Sequence, residues 1–145
     1  MTRFGYHVTE VILPPLHELA PAPRRKGFRV AARDWPGPAH AASPVFQIAA
    51  AELWRAWMEF AGGQPRLVLR AQDEHDRRSL HVQRSAVLRF PDLVRAEVVP
   101  LGIDHSSLIL DSRSRFGCRD LGVNRRRITR WLPELQQVVT PGSAG

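Results

Sequence analysis

Apolar and polar residues alternate over several stretches of the second half of the chain. Leu67 and Leu69 alternate with Arg66, Val68 and Arg70. Leu80, Val82, Arg84, Ala86 and Leu88 alternate with His81, Gln83, Ser85, Val87 and Arg89, and Leu108, Leu110 and Ser112 share a face opposite Ile109 and Asp111. A period of two marks strands with one covered face. The pattern predicts strands over 66–71, 80–89, 93–99 and 106–112. A charged turn at 72–78, a Phe90-Pro91-Asp92 corner and a turn at 100–105 separate them. Connections this short join antiparallel neighbours, so the strands form a meander.

The period becomes helical in two places. Over 49–61, Leu53, Trp57 and Phe60 make an inward stripe flanked by Trp54, with Glu52, Arg55 and Glu59 facing water, and Gly62-Gly63 supply the stop. Two tryptophans on one helix suit a ligand cradle or a membrane interface, but aromatics at helical spacing usually pack on a sheet. From Asn124, Ile128, Trp131, Leu132 and Leu135 fall at i, i+3, i+4 and i+7 after Ile128. Pro133 lacks an N–H, which predicts a distorted or restarted last turn. Pro44 to Ile48 reads as a short edge strand. The order is then β-α-β-β-β-β-α, and two helices covering one sheet face make a two-layer α+β domain over 44–137. Residues 138–145 read as a flexible tail.

Residues 1–43 differ. Prolines stand at 14, 15, 21, 23, 36 and 38, and no period persists. Val8, Val11, Ile12, Leu13, Leu16 and Leu19 are nevertheless more apolar than a solvated linker needs. A Pro-rich extended arm loses little entropy on docking. It either lies on a partner or packs along its own domain, and composition alone does not separate the two.

Between the last strand and the last helix, Asp111 to Leu135 reads DSRSRFGCRDLGVNRRRITRWLPEL. Gly117 and Gly122 permit a sharp reversal. Asp120 or Asn124 can cap the helix start. A helix N-terminus attracts anions, and arginine forks suit phosphate or carboxylate. Arg113, Arg115, Asp120, Asn124 and Arg127 are therefore candidates for binding an anionic ligand. Arg119, Arg125, Arg126 and Arg130 are candidates for a protein partner or nucleic acid. The bland alternative is Arg115 pairing with Asp120, Asn124 capping, and the other arginines forming a solvated face.

The spacing Ser114, Arg115, Gly117, Asp120, Gly122, Asn124 and Arg127 closely resembles the C-terminal signature of the family called domain of unknown function 1499. A looser resemblance runs back to Pro44 through Gly62-Gly63, Pro65 and Phe90-Pro91-Asp92. Relatives often begin with an export or lipid-attachment segment and a short Cys-containing motif, neither of which is found here. Cys118 stands where an aromatic residue is common. The resemblance implies a fold more than an activity.

Composition narrows the classes. The 145 residues suit one domain with a real core, and 43% are hydrophobic. Formal charge is +7 and the pI is near 11.3, favouring acidic partners, whether protein, nucleic acid or anionic membrane surface. The basic residues are arginine except Lys26, a bias that a GC-rich genome also produces. One cysteine forms no internal disulfide. No apolar run is long enough to span a bilayer, and no signal-peptide layout is present, so a cytoplasmic location is the expectation.

Tests for catalysis are mostly negative. His75, His81 and His105 read as isolated surface histidines without metal-ligand spacing. Cys118 has basic neighbours that favour a thiolate but no nearby base in sequence. Asp73, Glu74 and Asp76 read as a solvated turn. No phosphate-binding glycine loop is present. The Arg-rich helix lacks both a helix-turn-helix layout and interleaved aromatics. No cofactor or metal is expected. The leading expectation is a non-enzymatic interaction module, an accessory subunit of a larger assembly docking by its arm and basic corner. An anion-binding protein or enzyme using the Arg115, Asp120 and Asn124 corner is the alternative, and nucleic-acid binding through the last helix is the third.

Overall fold

The structure, a computed structural model, describes residues 9–84, 91–115 and 120–139. Its elements in chain order are β1 (Thr9–Glu10), a short 3-10 turn (Leu16–Glu18), β2 (Gly27–Ala31), β3 (Ala41–Ala42), β4 (Val45–Phe46), α1 (Ala50–Gly62), β5 (Leu67–Asp73), β6 (Arg78–Gln83), β7 (Asp92–Pro100), β8 (Ser106–Ser114) and α2 (Val123–Val138). From β4 onward this is the predicted β-α-β-β-β-β-α order, an α+β fold. The sheet runs β1-β5-β6-β7-β8-β2-β3, with β4 paired to the start of β8. The meander β5 to β8 is antiparallel, and β2 joins β8 antiparallel. Short parallel pairs close the two edges.

One face of the sheet carries the helices. Val94, Ala96 and Val98 of β7, Leu108 and Leu110 of β8, and Phe28 and Val30 of β2 meet the apolar stripes of α1 and α2. Trp57 and Trp131 are fully buried here, their rings 6.0 Å apart, which makes the tryptophans core. A buried aromatic of this size stabilises by roughly 1.5–3 kcal/mol. The Trp57 indole N–H donates to Ser79 Oγ at 2.9 Å, so its polar edge is satisfied.

The other face is covered by the N-terminal segment. Leu16 packs on Ala31 and Ile109, with Leu19, Trp35 and Val99 around them. Four side chains of the sheet hold the backbone of this strap. Asp73 accepts from Leu13 N–H at 2.8 Å, and Glu97 accepts from Leu16 N–H at 2.9 Å. Arg78 donates to the Leu13 carbonyl at 2.7 Å, and Arg113 donates to the Ala20 carbonyl at 2.9 Å. At Gly27 an added Cβ would lie 2.8 Å from Arg113 Cβ, so only glycine brings β2 this close to β8.

Several expectations change. Residues 1–43 are not an arm apart from the domain: the described part, from residue 9, supplies three strands and the strap, and Phe28 and Val30 enter the main core. The sequence hid this because a five-residue strand covered on both faces shows no alternation. His81 is buried at 2% exposure, edge-on to Trp57, because Ser79 and His81 take the helix-facing parity of β6. Asp73 is buried, and Glu74 accepts from the Trp54 indole at 2.9 Å, so the acidic turn is structural. Burial pushes the Asp73 carboxyl up, but N–H donors from Asp76 and Leu13 and the charge of Arg78 outweigh it and hold it below the usual range. The last helix runs through Pro133 to Val138, one residue into the predicted tail. The carbonyl left without a donor belongs to exposed Thr129, where water can serve it. β6 is described to Gln83, and 85–89 of the predicted strand lie outside the described residues.

Candidate functional site

The chain enters α2 through two left-handed residues, Leu121 at φ 55° and Gly122 at φ 79°. Asp120, just before them, accepts from Gly122 N–H at 2.8 Å and from the Asn124 side-chain amide at 2.8 Å. Its own N–H donates to the Arg25 carbonyl at 2.9 Å, tying the strap segment to the corner. Asn124 is fully buried, and its Oδ1 accepts from Ser112 Oγ and from Arg127 Nη1, both at 2.6 Å. Arg127 Nη1 also reaches Asp92 at 3.0 Å. Burial pushes the Arg127 pKa down and the Asp92 pKa up, and each is opposed by the charge of the other.

These contacts make the signature a structural knot. Asp120, Asn124 and Arg127 are linked to one another and, with Ser112 and Asp92, tie β7, β8 and α2 together, while Arg127 also lines the cleft beside α2. Arg113 grips Asp111 in a two-pronged pair, with both contacts at 2.8 Å. Arg115 is exposed, and its backbone N–H donates to the Pro91 carbonyl at 3.3 Å. Cys118 and Arg119 lie outside the described residues. Of the anion candidates, Asp120, Asn124 and Arg127 come together, and Arg113 belongs to a separate cluster on the other sheet face.

The partner candidates separate too. Arg125 lies over the Phe28 ring, 5.8 Å from its centre, in a cation–π contact. Phe28 is stacked with His40, whose pKa burial and Arg24 lower. Arg126 and Arg130 instead face an open cleft of about 610 Å³ between α2 and the turn into β5. Arg66, Arg126, Arg127 and Arg130 line it with Gln64 and Gln83, and no carboxylate is among the lining residues. Arg126 Nη1 donates to the Leu121 carbonyl at 3.1 Å, which leaves the rest of its fork outward. Sequence reading missed Arg66. It follows Pro65 in a turn, at φ 60°, and nothing local indicates that α2 packs beside it. Four guanidinium groups around one cleft create a positive potential with multiple forks, suited to carboxylates or phosphates.

Among the described residues no group of three or more His, Cys, Asp or Glu is placed to hold a metal, and no helix is long and apolar enough to cross a membrane. A family model described as a protein of unknown function (DUF1499) matches residues 21–135. The match begins well before Pro44 and so includes β2, in agreement with its place in the sheet. No curated protein and no solved structure matches the chain.

Proposed function

The chain belongs to the DUF1499 family, and from the geometry of its basic cleft we propose that it is a non-enzymatic binding module docking an acidic segment of a protein partner within a larger assembly. The observation that carries this is the imbalance of the cleft. Arg29, Arg78 and Arg113 each have a carboxylate within ion-pair distance. Arg66, Arg126 and Arg130 are exposed around the cleft with no carboxylate lining it. An extended acidic peptide offers several carboxylates to several forks at once. Nucleic acid is less favoured because Arg125 is drawn off onto Phe28 and, among the described residues, no aromatic ring lines the cleft for base stacking. Docking by the whole of 1–43 is not retained, since residues 11–31 hold the chain's own sheet.

The test compares the chain with the triple variant R66E/R126E/R130E by gentle size fractionation of cell lysate. The expected result is a wild-type particle much larger than 16.4 kDa and a variant near that mass. These residues are exposed, so the variant should keep its melting temperature. Wild type running free near 16.4 kDa overturns the proposal. A large particle that nuclease collapses transfers the cleft to nucleic acid.

A further inference from the structure

On the strap face of the sheet, positive charge exceeds negative charge in a row that is buried at Asp111 and Arg29 and half-buried at Arg95. Leu80, Arg95, Asp111 and Arg29 stand side by side across β6, β7, β8 and β2. Asp111 is 1% exposed and is the carboxylate of this row. Arg29 takes it at 2.8 Å, and Arg113 takes both of its oxygens at 2.8 Å. These bonds take three of the roughly four lone-pair sites of one carboxylate. Arg95 is left over: it makes no hydrogen bond or ion pair among the described residues, and its Nη1 is buried without a partner. Arg29 Nη2, on a side chain with no exposure, is also buried without a hydrogen-bond partner, though its guanidinium lies over the Trp35 ring at 5.6 Å. A half-buried guanidinium that shares Asp111 with two nearer arginines keeps capacity for a further anion.

Beside Arg95 there is room for one. A pocket of about 210 Å³ lies between the strap and the sheet, and its walls include Leu13, Pro15, Leu19 and Leu80, together with Arg78, which is engaged by Asp76, Glu97 and the Leu13 carbonyl. Glu18 stands at its rim, exposed and not paired with Arg95. The volume is below the ~300–1,000 Å³ of pockets for drug-sized ligands, which limits the occupant to a small molecule. We propose that this pocket binds a small apolar monocarboxylate, its carboxylate held by Arg95 and its hydrocarbon part by Leu13, Pro15, Leu19 and Leu80. A charged side chain among aliphatic walls recognises a molecule that pairs an opposite charge with an apolar body. Arg66 and the cleft along α2 are not involved, so charge reversal there leaves this site intact.

The probes are benzoate and hexanoate, with benzyl alcohol as the uncharged comparison, added to the full chain. Amide chemical shifts of residues 13–19, 80 and 95 and the melting temperature report binding. Benzoate or hexanoate should move these signals saturably, with benzyl alcohol about tenfold weaker or worse, the loss expected from one charge-assisted contact. Arg95→Met should weaken the carboxylates by about tenfold and leave benzyl alcohol unchanged. Leu80→Trp, which fills the pocket and keeps Arg95, should abolish all three, and it decides the matter if Arg95→Met does not fold. Three results overturn the proposal: no saturable response to either carboxylate, equal binding of benzyl alcohol, or full binding by both variants.

Discussion

The two faces of this sheet are both covered, but by opposite chemistry. Along β8, Leu108, Leu110 and Ser112 point to the helices, while Ile109, Asp111 and Arg113 point to the strap. The helix face is closed mainly by interlocking aromatic and aliphatic side chains, with charge confined to the corner of Asp92, Asp120 and Arg127. The strap face is closed by carboxylates and guanidiniums that grip the backbone of a segment too irregular to satisfy itself. Apolar packing tolerates loss in proportion to volume. A buried charge cluster is less forgiving, because one deletion strands the remaining partners. The first kind of face makes the fold stable, and the second makes it specific about where one segment lies.

Substitutions on each face can break this contrast. Trp57→Ala should have the largest effect, about 4–5 kcal/mol in urea unfolding, since it opens a cavity under both helices and leaves Ser79 without its donor. A loss below about 1 kcal/mol would mean that the helix face is not the main source of stability. Asp111→Asn should follow at about 3–4 kcal/mol, because Arg29, Arg95 and Arg113 then face one another without a counter-charge. Its loss should change little with salt, because a buried pair is screened far less than an exposed one, and a neutral outcome would show that the strap face is held by Leu16 and its neighbours alone.

The third effect sharpens the contrast by placing a titratable group on the apolar face. Burial lowers the His81 pKa from 6.5 to about 4. The unfolded chain takes up the proton first, so stability should fall as pH drops from 6.5 towards 4 and level off below that. The loss amounts to about 3 kcal/mol. In His81→Leu this part of the pH dependence should vanish. Stability curves of wild type and variant that stay parallel from pH 7 to 4 would count against a neutral buried imidazole.

The meander and both helices were legible in the sequence because each has one wet face and therefore a period. Residues 53, 57, 128, 131 and 135 are buried as the spacing required. β2 was not legible: Gly27–Ala31 is covered on both sides, so Arg29 sits at full burial amid apolar neighbours and breaks any pattern. The corner motif was visible as spacing, but its meaning was not. Whether Asp120, Asn124 and Arg127 face a ligand or one another depends on Ser112 and Asp92, which arrive from two other strands. Arg66 illustrates the same limit for the cleft, since its relation to Arg126 and Arg130 exists only once α2 has packed.

The strap also orders events in the life of the chain. Its contacts with the sheet join residues 60, 81, 65 and 93 positions apart. β2 pairs only with β8 and β3, and β8 ends at Ser114. During synthesis this segment therefore waits, with Leu16, Phe28 and Val30 uncovered, until β8 has left the ribosome. Loop closure over such distances is slow compared with pairing within the meander. The N-terminal segment is thus made before its partners and folded late, and for that interval its shelter is whatever the cell provides.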